Sequence, residues 1–289
     1  LKKTLDQFWL FLIILIPVLI IMLQNDTGSS IVFFCLLIVL YREGISQKYL
    51  LSILAISVLA IFTLKFSALH SFLFSLVPTI LFFLTKRKMN NKIIRGFAIS
   101  CLCLLTCFVV DYSYKNILRT HQQNYIKVWL NLEKDPAKIK KMERTVLYNI
   151  NESKKAISSG GVVGKGYMKG TRTMGNFVPA QHSDYIFSTI GEEWGFIGSV
   201  FIIILYCILI YRIVYLSELQ KNKFSRVYGY STASILFIHF CINIGMVLGL
   251  TPTIGIPLPF LSYGGSSLIA FTILLFIFIR FDANKINEW

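Results

Sequence analysis

Charged residues are scarce in this chain of 289 residues. They make up 15% of the sequence, against about a quarter in ordinary soluble domains, whereas hydrophobic residues make up 55%. This imbalance excludes an ordinary soluble domain and predicts a protein that crosses a membrane several times.

Several common site patterns are also missing. All six cysteines lie inside apolar runs, so they predict neither a disulfide framework nor a metal knuckle. The glycine-rich run 160–170 lacks the strand and the Gly-Lys-Ser/Thr ending of a nucleotide P-loop. The net charge of +15 has no accompanying aromatic-basic platform. We therefore expect anionic lipid head groups, and no nucleic acid, as partners of the basic residues.

What the chain does contain is a series of apolar runs of membrane-spanning character. They lie at residues 8–23, 31–41, 49–64, 71–84, 96–110, 196–215, 228–250 and 266–279. We predict an all-α polytopic membrane protein of about eight transmembrane helices, the second of them short for a full span. No repeat or linker divides the chain, so we expect one membrane domain over 1–289: five helices in 1–110, a large extracytoplasmic loop of short helices in 111–195, and three helices in 196–289.

Lysine and arginine in the short connections predict the orientation. They cluster on alternate sides of the path, for instance at residues 86–95 and 221–226. The positive-inside bias makes that side cytoplasmic, so the long polar loop and the final loop 251–262 are expected to face outward.

Two polar segments of the long loop carry the candidate chemistry. Glycines in 160–170 allow close approach of backbone amides, and Lys165, Lys169 and Arg172 supply cations suited to phosphate. From the residues alone, a plain turn and a diphosphate-holding loop both remain open. In the second segment, Ser183 or Asp184 is predicted to cap a helix beginning near residue 185. Glu192 and Glu193 lie about 12 to 14 Å further along a continuous helix, too far to pair with Asp184 in glycosidase fashion.

Proline and glycine interrupt the helical pattern of the final outer loop, 251–266, at membrane depth. Irregular backbone is tolerated there only when it is buried in protein or lines a cavity, so we expect this loop to wall a cavity. Asp26 lies in a turn at an outward helix end. A helix cap and a place in the cavity are both open for its carboxylate.

Several ordered motifs resemble those of the SEDS family of membrane-embedded peptidoglycan polymerases, which includes RodA and FtsW, with the RodA branch closer. They are Tyr148-Asn149, the stretch Ala156 to Gly166, Asn176 to Pro179, Gln181 to Phe187 with Gly191-Glu192-Glu193, and Gly255 to Phe260 with Ser262 to Ser266. The family's N-terminal Pro-Ser-Glu segment has no counterpart here, so we expect that the chain, which opens with Leu1, lacks the N-terminal part of the family.

The resemblance implies a glycosyltransferase that polymerises lipid II at the outer face of the bacterial cytoplasmic membrane, in cell wall elongation and shape. It implies a class B penicillin-binding protein as partner, a divalent cation (Mg or Mn) and no organic cofactor. It also moves Asp184 from capping to catalysis, where a carboxylate is suited to act as general base. The substrate-binding residues implied are Lys165, Lys169, Arg172, Gln181, His182, Asp26, Ser262, Gly264 and Gly265. A lipid II flippase and a noncatalytic scaffold of the cell-wall machinery are the alternatives.

Overall fold

The computed structural model describes residues 4–24, 26–66, 92–133, 135–145 and 147–285, together with residues 70, 71, 73 and 76. All regular structure in these ranges is helical, which confirms the predicted all-α class. The helices are α1 (Thr4–Leu23), α2 (Thr27–Phe34), α3 (Leu36–Arg42), α4 (Gln47–Phe66), α5 (Lys92–Tyr112) with a π-helical turn (Ser113–Ile117), α6 (Thr120–Trp129), α7 (Pro136–Glu143), α8 (Tyr148–Gly160), α9 (Thr171–Met174), α10 (Ile186–Glu193), α11 (Gly195–Glu218), α12 (Lys223–Leu248) and α13 (Gly265–Asn284).

Long apolar helices confirm a polytopic membrane protein. Among the described residues, five helices are long and apolar enough to cross a membrane, within α4, α5 with its π-helical turn, α11, α12 and α13. Two shorter apolar stretches, Trp9–Leu23 and Gly28–Arg42, match the first two predicted runs. Large side chains such as Phe201 and Ile208 on α11 are more than half exposed, as expected for a lipid-facing surface. The predicted run 71–84 lies almost wholly outside the described residues.

The short second run forms two helices rather than one. The chain turns at Cys35 between α2 and α3, and the Cys35 amide donates to the Val32 carbonyl at 3.0 Å. Cys35 is buried against Val32 and Ile256, so this break packs against the final loop.

The chain separates into two compact units. One comprises Ser46–Ile139, where α4 packs on α5 and the Thr63 hydroxyl lies 3.5 Å from Sγ of Cys107. The other comprises Leu1–Ile45 with Lys140–Trp289 and contains every candidate site residue. The predicted divisions at residues 110 and 195 remain predictions.

Within this second unit, α12 is the central helix, because it packs on α11, α13, α3 and α8. Its buried residues Ala233 and Leu236 join Ile213 of α11 and Phe278 of α13 in one apolar cluster. At one end of these helices, two ion pairs connect α3 to α11 and α12: Arg42 with Glu218, and Glu43 with Arg226. At the opposite end lie the turns before α10 and the final loop, where the candidate site is found.

The short helices predicted for the polar loop are confirmed in α6, α7 and α8. Helix α8 buries Ile150 and Ala156, and Ala156 joins Tyr185, Phe187 and Val247 in one apolar cluster. Helix α10 therefore packs against α8 and against the membrane helices α11 and α12.

Candidate active site

Asp184 lies in a turn that immediately precedes α10. The helix begins at Ile186, its N-cap is Tyr185, and no side chain accepts a capping hydrogen bond there. The Ser183 hydroxyl instead donates to the Ala180 carbonyl at 3.3 Å. The capping role predicted from the residues alone is therefore wrong, since the helix begins one residue too late for Asp184 to cap it.

The Asp184 turn is held through its main chain. Three consecutive carbonyls of this turn each accept a hydrogen bond from α12 or the final loop, so the side chains are not used for anchoring. The bonds run from the Tyr263 amide to the His182 carbonyl (2.7 Å), from the Ser262 hydroxyl to the Ser183 carbonyl (2.7 Å), and from Nδ2 of Asn243 to the Asp184 carbonyl (2.8 Å).

The final loop is irregular from Thr251 to Gly264, as its prolines and glycines predict. Its carbonyls need partners because unpaired backbone groups are costly at membrane depth. Side chains of the membrane helices supply them: Nδ2 of Asn243 donates to the Ile256 carbonyl (2.7 Å), Nδ1 of His239 to that of Pro257 (3.1 Å), and the Tyr206 hydroxyl to that of Pro259. A carbonyl only accepts, so Nδ1 of His239 carries the proton.

The Asp184 carboxylate lies beside Gly255 of the final loop. Its Oδ2 would lie 3.2 Å from a Cβ added to Gly255, a residue with a φ of +75° that favours glycine. Among the described residues no hydrogen bond or ion pair reaches the carboxylate. Burial raises the pKa of Asp184 above its ordinary value. A partly buried carboxylate with free acceptor oxygens is suited to take a proton from a ligand.

The glycine-rich segment binds the protein's own groups. It wraps the junction of α10 and α11, and its peptide groups satisfy the last carbonyls of one helix and the first amides of the next. The bonds run from the Lys165 amide to the Glu192 carbonyl (3.1 Å), from Gly166 to Glu193 (2.9 Å), from Phe196 to Gly161 (2.9 Å) and from Ile197 to Val162 (3.1 Å).

The carboxylate of Glu192 occupies the centre of this segment. It has no exposed surface and accepts from Nζ of Lys165 at 2.6 Å and from the amides of Arg172 (3.0 Å) and Thr173 (2.9 Å). Burial acts to raise the pKa of Glu192, but these hydrogen bonds outweigh it and lower the pKa to about 2. The anion bound by the glycine-rich segment is therefore the protein's own Glu192 carboxylate, where the residues alone suggested a phosphate.

The three cations predicted to bind phosphate differ in their surroundings. Lys165 pairs with Glu192, and the Arg172 guanidinium pairs with Glu152, a carboxylate 7% exposed. Lys169 is exposed and forms no ion pair with any described residue. Of the three, Lys169 alone has a charge not already matched by a carboxylate of the described chain.

The remaining candidates of this region divide between exposed and internal groups. Gln181 is buried, and its Nε2 donates to Oδ1 of Asn176 at 3.1 Å, whereas the neighbouring His182 is exposed. The Ser262 hydroxyl is buried and already satisfied, because it accepts from the Leu258 amide and donates to Ser183. Gly264 precedes α13, and Gly265 begins it at a place where an added Cβ would meet open space.

Asp26 caps α2. Its Oδ1 accepts from the Ser29 amide at 3.0 Å and its Oδ2 from the Ser29 hydroxyl at 2.6 Å. Burial acts to raise the pKa of Asp26, but the bonds from Ser29 outweigh it and lower the pKa. A Cβ on Gly28, two residues on, would lie 3.2 Å from Ile254 and Ile256, so the Asp26 turn lies beside the final loop.

The donors of the described residues do not fit a protein-held metal centre. Among the described residues, no three His, Cys, Asp or Glu side chains lie close enough together to hold a metal ion. The carboxylates of Asp26, Glu152 and Glu192 are each occupied by donors of the protein itself.

Sequence reasoning missed the roles of Glu192 and Asn243. Glu192 follows glycine in an apolar helix, and a carboxylate in such a place needs a buried partner. Asn243 is a polar residue inside the apolar run 228–250, where side chains of that kind are expected to hydrogen-bond internally. These were the available signals, but the partners lie 27 and 59 residues away, respectively.

The comparisons with known proteins agree on one family. Residues 70–287 match the family FtsW/RodA/SpoVE, described as cell cycle protein. The chain is 38% identical over 153 residues to the peptidoglycan glycosyltransferase MrdB of Escherichia coli K12, covering 53% of this chain and 40% of that protein. It is 36% identical over 152 residues to the peptidoglycan glycosyltransferase RodA of Treponema pallidum, covering 53% and 34%. These alignments thus span well under half the length of the relatives.

A solved structure described as structural coordination of polymerization and crosslinking by a peptidoglycan synthase complex contains a similar chain. That chain is 17% identical, with a TM-score of 0.46, and the match covers 97% of this chain and 98% of the other.

Proposed function

The chain belongs to the FtsW/RodA/SpoVE family of bacterial multi-pass membrane proteins, on its RodA and MrdB side, and we propose that it is a peptidoglycan glycosyltransferase. In this proposal it polymerises lipid II into glycan strands at the outer face of the cytoplasmic membrane, for cell wall elongation. The proposal extends to this chain an activity that the names of its relatives carry.

The Asp184 carboxylate is the observation that supports this function most. Its turn is fixed by three hydrogen bonds to main-chain carbonyls, no described residue donates to its carboxylate oxygens, and burial raises its pKa. These are the properties of a general base held ready for a substrate hydroxyl.

The proposed reaction joins two lipid-linked disaccharides. The 4-hydroxyl of one sugar attacks the anomeric carbon of the other, Asp184 accepts the hydroxyl proton, a β-1,4 glycosidic C–O bond forms, and the bond to the lipid diphosphate breaks. The diphosphate leaves with its negative charge, which a nearby cation would stabilise. Lys169 is our first candidate, because Lys165 and Arg172 would have to leave buried carboxylates to take part.

Divalent metal chemistry takes a restricted form in this proposal. A Mg or Mn ion serving the reaction would find on the diphosphate the oxygen ligands that these cations prefer. Such an ion would supply charge stabilisation to the leaving group.

Orientation and partner follow from the same proposal. The basic connections would lie in the cytoplasm, so that Asp184 and the final loop face outward, where lipid II carries its sugars. A class B penicillin-binding protein would bind the complex and crosslink the strands as they form.

The test is glycan synthesis from labelled lipid II by the full-length protein, purified with its class B partner. Polymer bands on a gel are the expected result. Absence of polymer, with movement of labelled lipid II across the bilayer of proteoliposomes, would overturn the proposal in favour of a flippase. Absence of both polymer and lipid II movement would overturn it in favour of the noncatalytic scaffold.

A further inference from the structure

Asn243 is the side chain of α12 that bonds both the Asp184 turn and the final loop through one functional group. It is fully buried in α12, and its two N–H bonds reach the Asp184 carbonyl (2.8 Å) and the Ile256 carbonyl (2.7 Å). Ile256 follows Gly255, the residue against which the Asp184 carboxylate lies. The side-chain amide of Asn243 thus fixes the distance between the Asp184 backbone and the part of the final loop against which the Asp184 carboxylate lies.

The chemistry of this amide indicates a purpose beyond packing. Oδ1 of Asn243 is buried and has no hydrogen-bond partner among the described residues. A buried unsatisfied oxygen lowers stability, so an apolar residue of the same shape would be better in a site that needed only filling. Both N–H groups, by contrast, are used fully. Asn243 thus leaves its acceptor oxygen without a partner while both of its N–H donors are directed at backbone carbonyls.

We propose that Asn243 is a positioning residue for Asp184, which holds the catalytic carboxylate against Gly255 in its half-buried, donor-free position. The inference rests on the proposed glycosyltransferase function. It assigns to α12, a membrane-spanning helix, a direct part in setting the geometry of the outward-facing site. General base catalysis depends on such geometry, and a displacement of about 1 Å can lower a rate about 100-fold.

Two other polar side chains provide matched comparisons. Tyr206 and His239 also donate to carbonyls of the final loop, those of Pro259 and Pro257, but neither bonds the Asp184 turn. Tyr206→Phe removes one loop anchor while leaving both Asn243 bonds in place. It separates loosening of the loop from loosening of Asp184.

The acid limb of the pH–rate profile, where the rate falls as Asp184 becomes protonated, reports the position of the Asp184 carboxylate. In the parent, burial keeps the pKa of Asp184 raised, and loss of the clamp should hydrate the carboxylate and bring the pKa down toward its ordinary value. Apart from Tyr206, the titratable side chains on the segments around it include His182 and Tyr185 beside it, Glu192 and Glu193 on α10, Tyr263 in the final loop, His239 and Cys241 on α12, and Tyr148, Glu152, Lys154 and Lys155 on α8. None of these is changed by the variants compared.

The experiment measures lipid II polymerisation by the full complex for the parent, Asn243→Leu and Tyr206→Phe between pH 4 and 8. We expect kcat of Asn243→Leu to fall on the order of 100-fold with KM within about threefold, and its acid limb to move to lower pH. Tyr206→Phe should keep the parent's acid limb. An acid limb unchanged in Asn243→Leu, or moved equally in both variants, would overturn the proposal.

Two further measurements keep the outcome decisive. If Asn243→Leu does not fold, Asn243→Ser takes its place, since a hydroxyl keeps one donor and adds no titratable group beside Asp184; it should show the same shift to a smaller extent. If the parent makes no polymer, the proposed function fails, and hydrogen exchange decides the clamp alone. Faster exchange of residues 182–187 in the Asn243 variant and not in Tyr206→Phe supports the clamp, and equal exchange refutes it.

Discussion

The Lys165 ammonium lies 2.6 Å from Oε1 of Glu192, a carboxylate with no exposed surface. A cation that the sequence offers to a diphosphate is thereby bound by the protein itself. The pair closes the glycine-rich segment over α10, so its first consequence is for stability.

Replacement of Glu192 by Gln should destabilise the protein by about 3 kcal/mol, because it leaves Lys165 without a counter-charge in a mostly buried place. Thermal unfolding in detergent micelles measures the change. Lys115→Met is the comparison: it breaks an exposed pair with Asp111 on α5 and should cost at most about 0.5 kcal/mol. Equal effects of the two variants would show that the buried pair has no special weight.

Low pH should weaken the anchoring of the glycine-rich segment, because it protonates Glu192. The folded pKa of Glu192, about 2, lies below the ordinary value of 4.5, so its contribution to stability is complete above pH 4.5 and is lost as the pH falls toward 2. We expect parent and Glu192→Gln to converge in stability across that window, as followed by the fluorescence of neighbouring Trp194. A constant difference between them down to pH 2 would contradict the assignment.

Close packing of α8 on α10 depends on Gly160. A Cβ there would lie 2.0 Å from the Gly191 carbonyl oxygen, closer than any real contact. Gly160→Ala should therefore cost several kcal/mol or prevent folding, because backbone on both sides must move. In Gly265→Ala the added methyl meets open space, so unfolding should change by no more than about 0.5 kcal/mol. A stable Gly160→Ala protein would show that the helices are further apart than the structure has them.

The two ion pairs at the opposite end of the helices should differ in strength. Arg226 bonds both carboxylate oxygens of Glu43, at 3.1 and 3.0 Å, in a partly buried place, whereas Arg42 and Glu218 are about half exposed. A double-mutant cycle should give a coupling of about 1.5 kcal/mol for the first pair and a smaller coupling for the second, because solvent screens an exposed pair. The reverse order would mean that exposure does not control these pairs.

The sequence predicted the parts of this fold that local pattern determines. Long apolar runs marked α4, α11, α12 and α13, since a membrane span leaves little choice of composition. The break at Cys35 was not predicted, because nothing in that apolar run distinguishes a turn from a helix. The break becomes understandable only from its packing against Ile256 of the distant final loop.

The candidate site was predictable as a set of segments but not as a set of contacts. Charge distribution predicted that Asp184 and the final loop face the same side, and the hydrogen bond from the Ser262 hydroxyl to the Ser183 carbonyl joins those segments in the structure. The partners of Lys165 and Arg172 could not be predicted, because ion pairing across 27 and 20 residues depends on how α8 and α10 pack.

The measurement that tests the central claim most directly is glycan-strand formation from labelled lipid II by the parent complex and by Asp184→Asn. Asn keeps the shape of Asp184 but cannot accept the hydroxyl proton, so we expect loss of polymer by a factor on the order of 100 to 10,000. Asp135→Asn is the matched control: Asp135 is an exposed carboxylate that caps α7 by accepting from the Ala137 amide, a role that Asn fills equally well, and it should leave synthesis unchanged. Polymer at the parent's rate from a folded Asp184→Asn complex would contradict the assignment of Asp184 as the base.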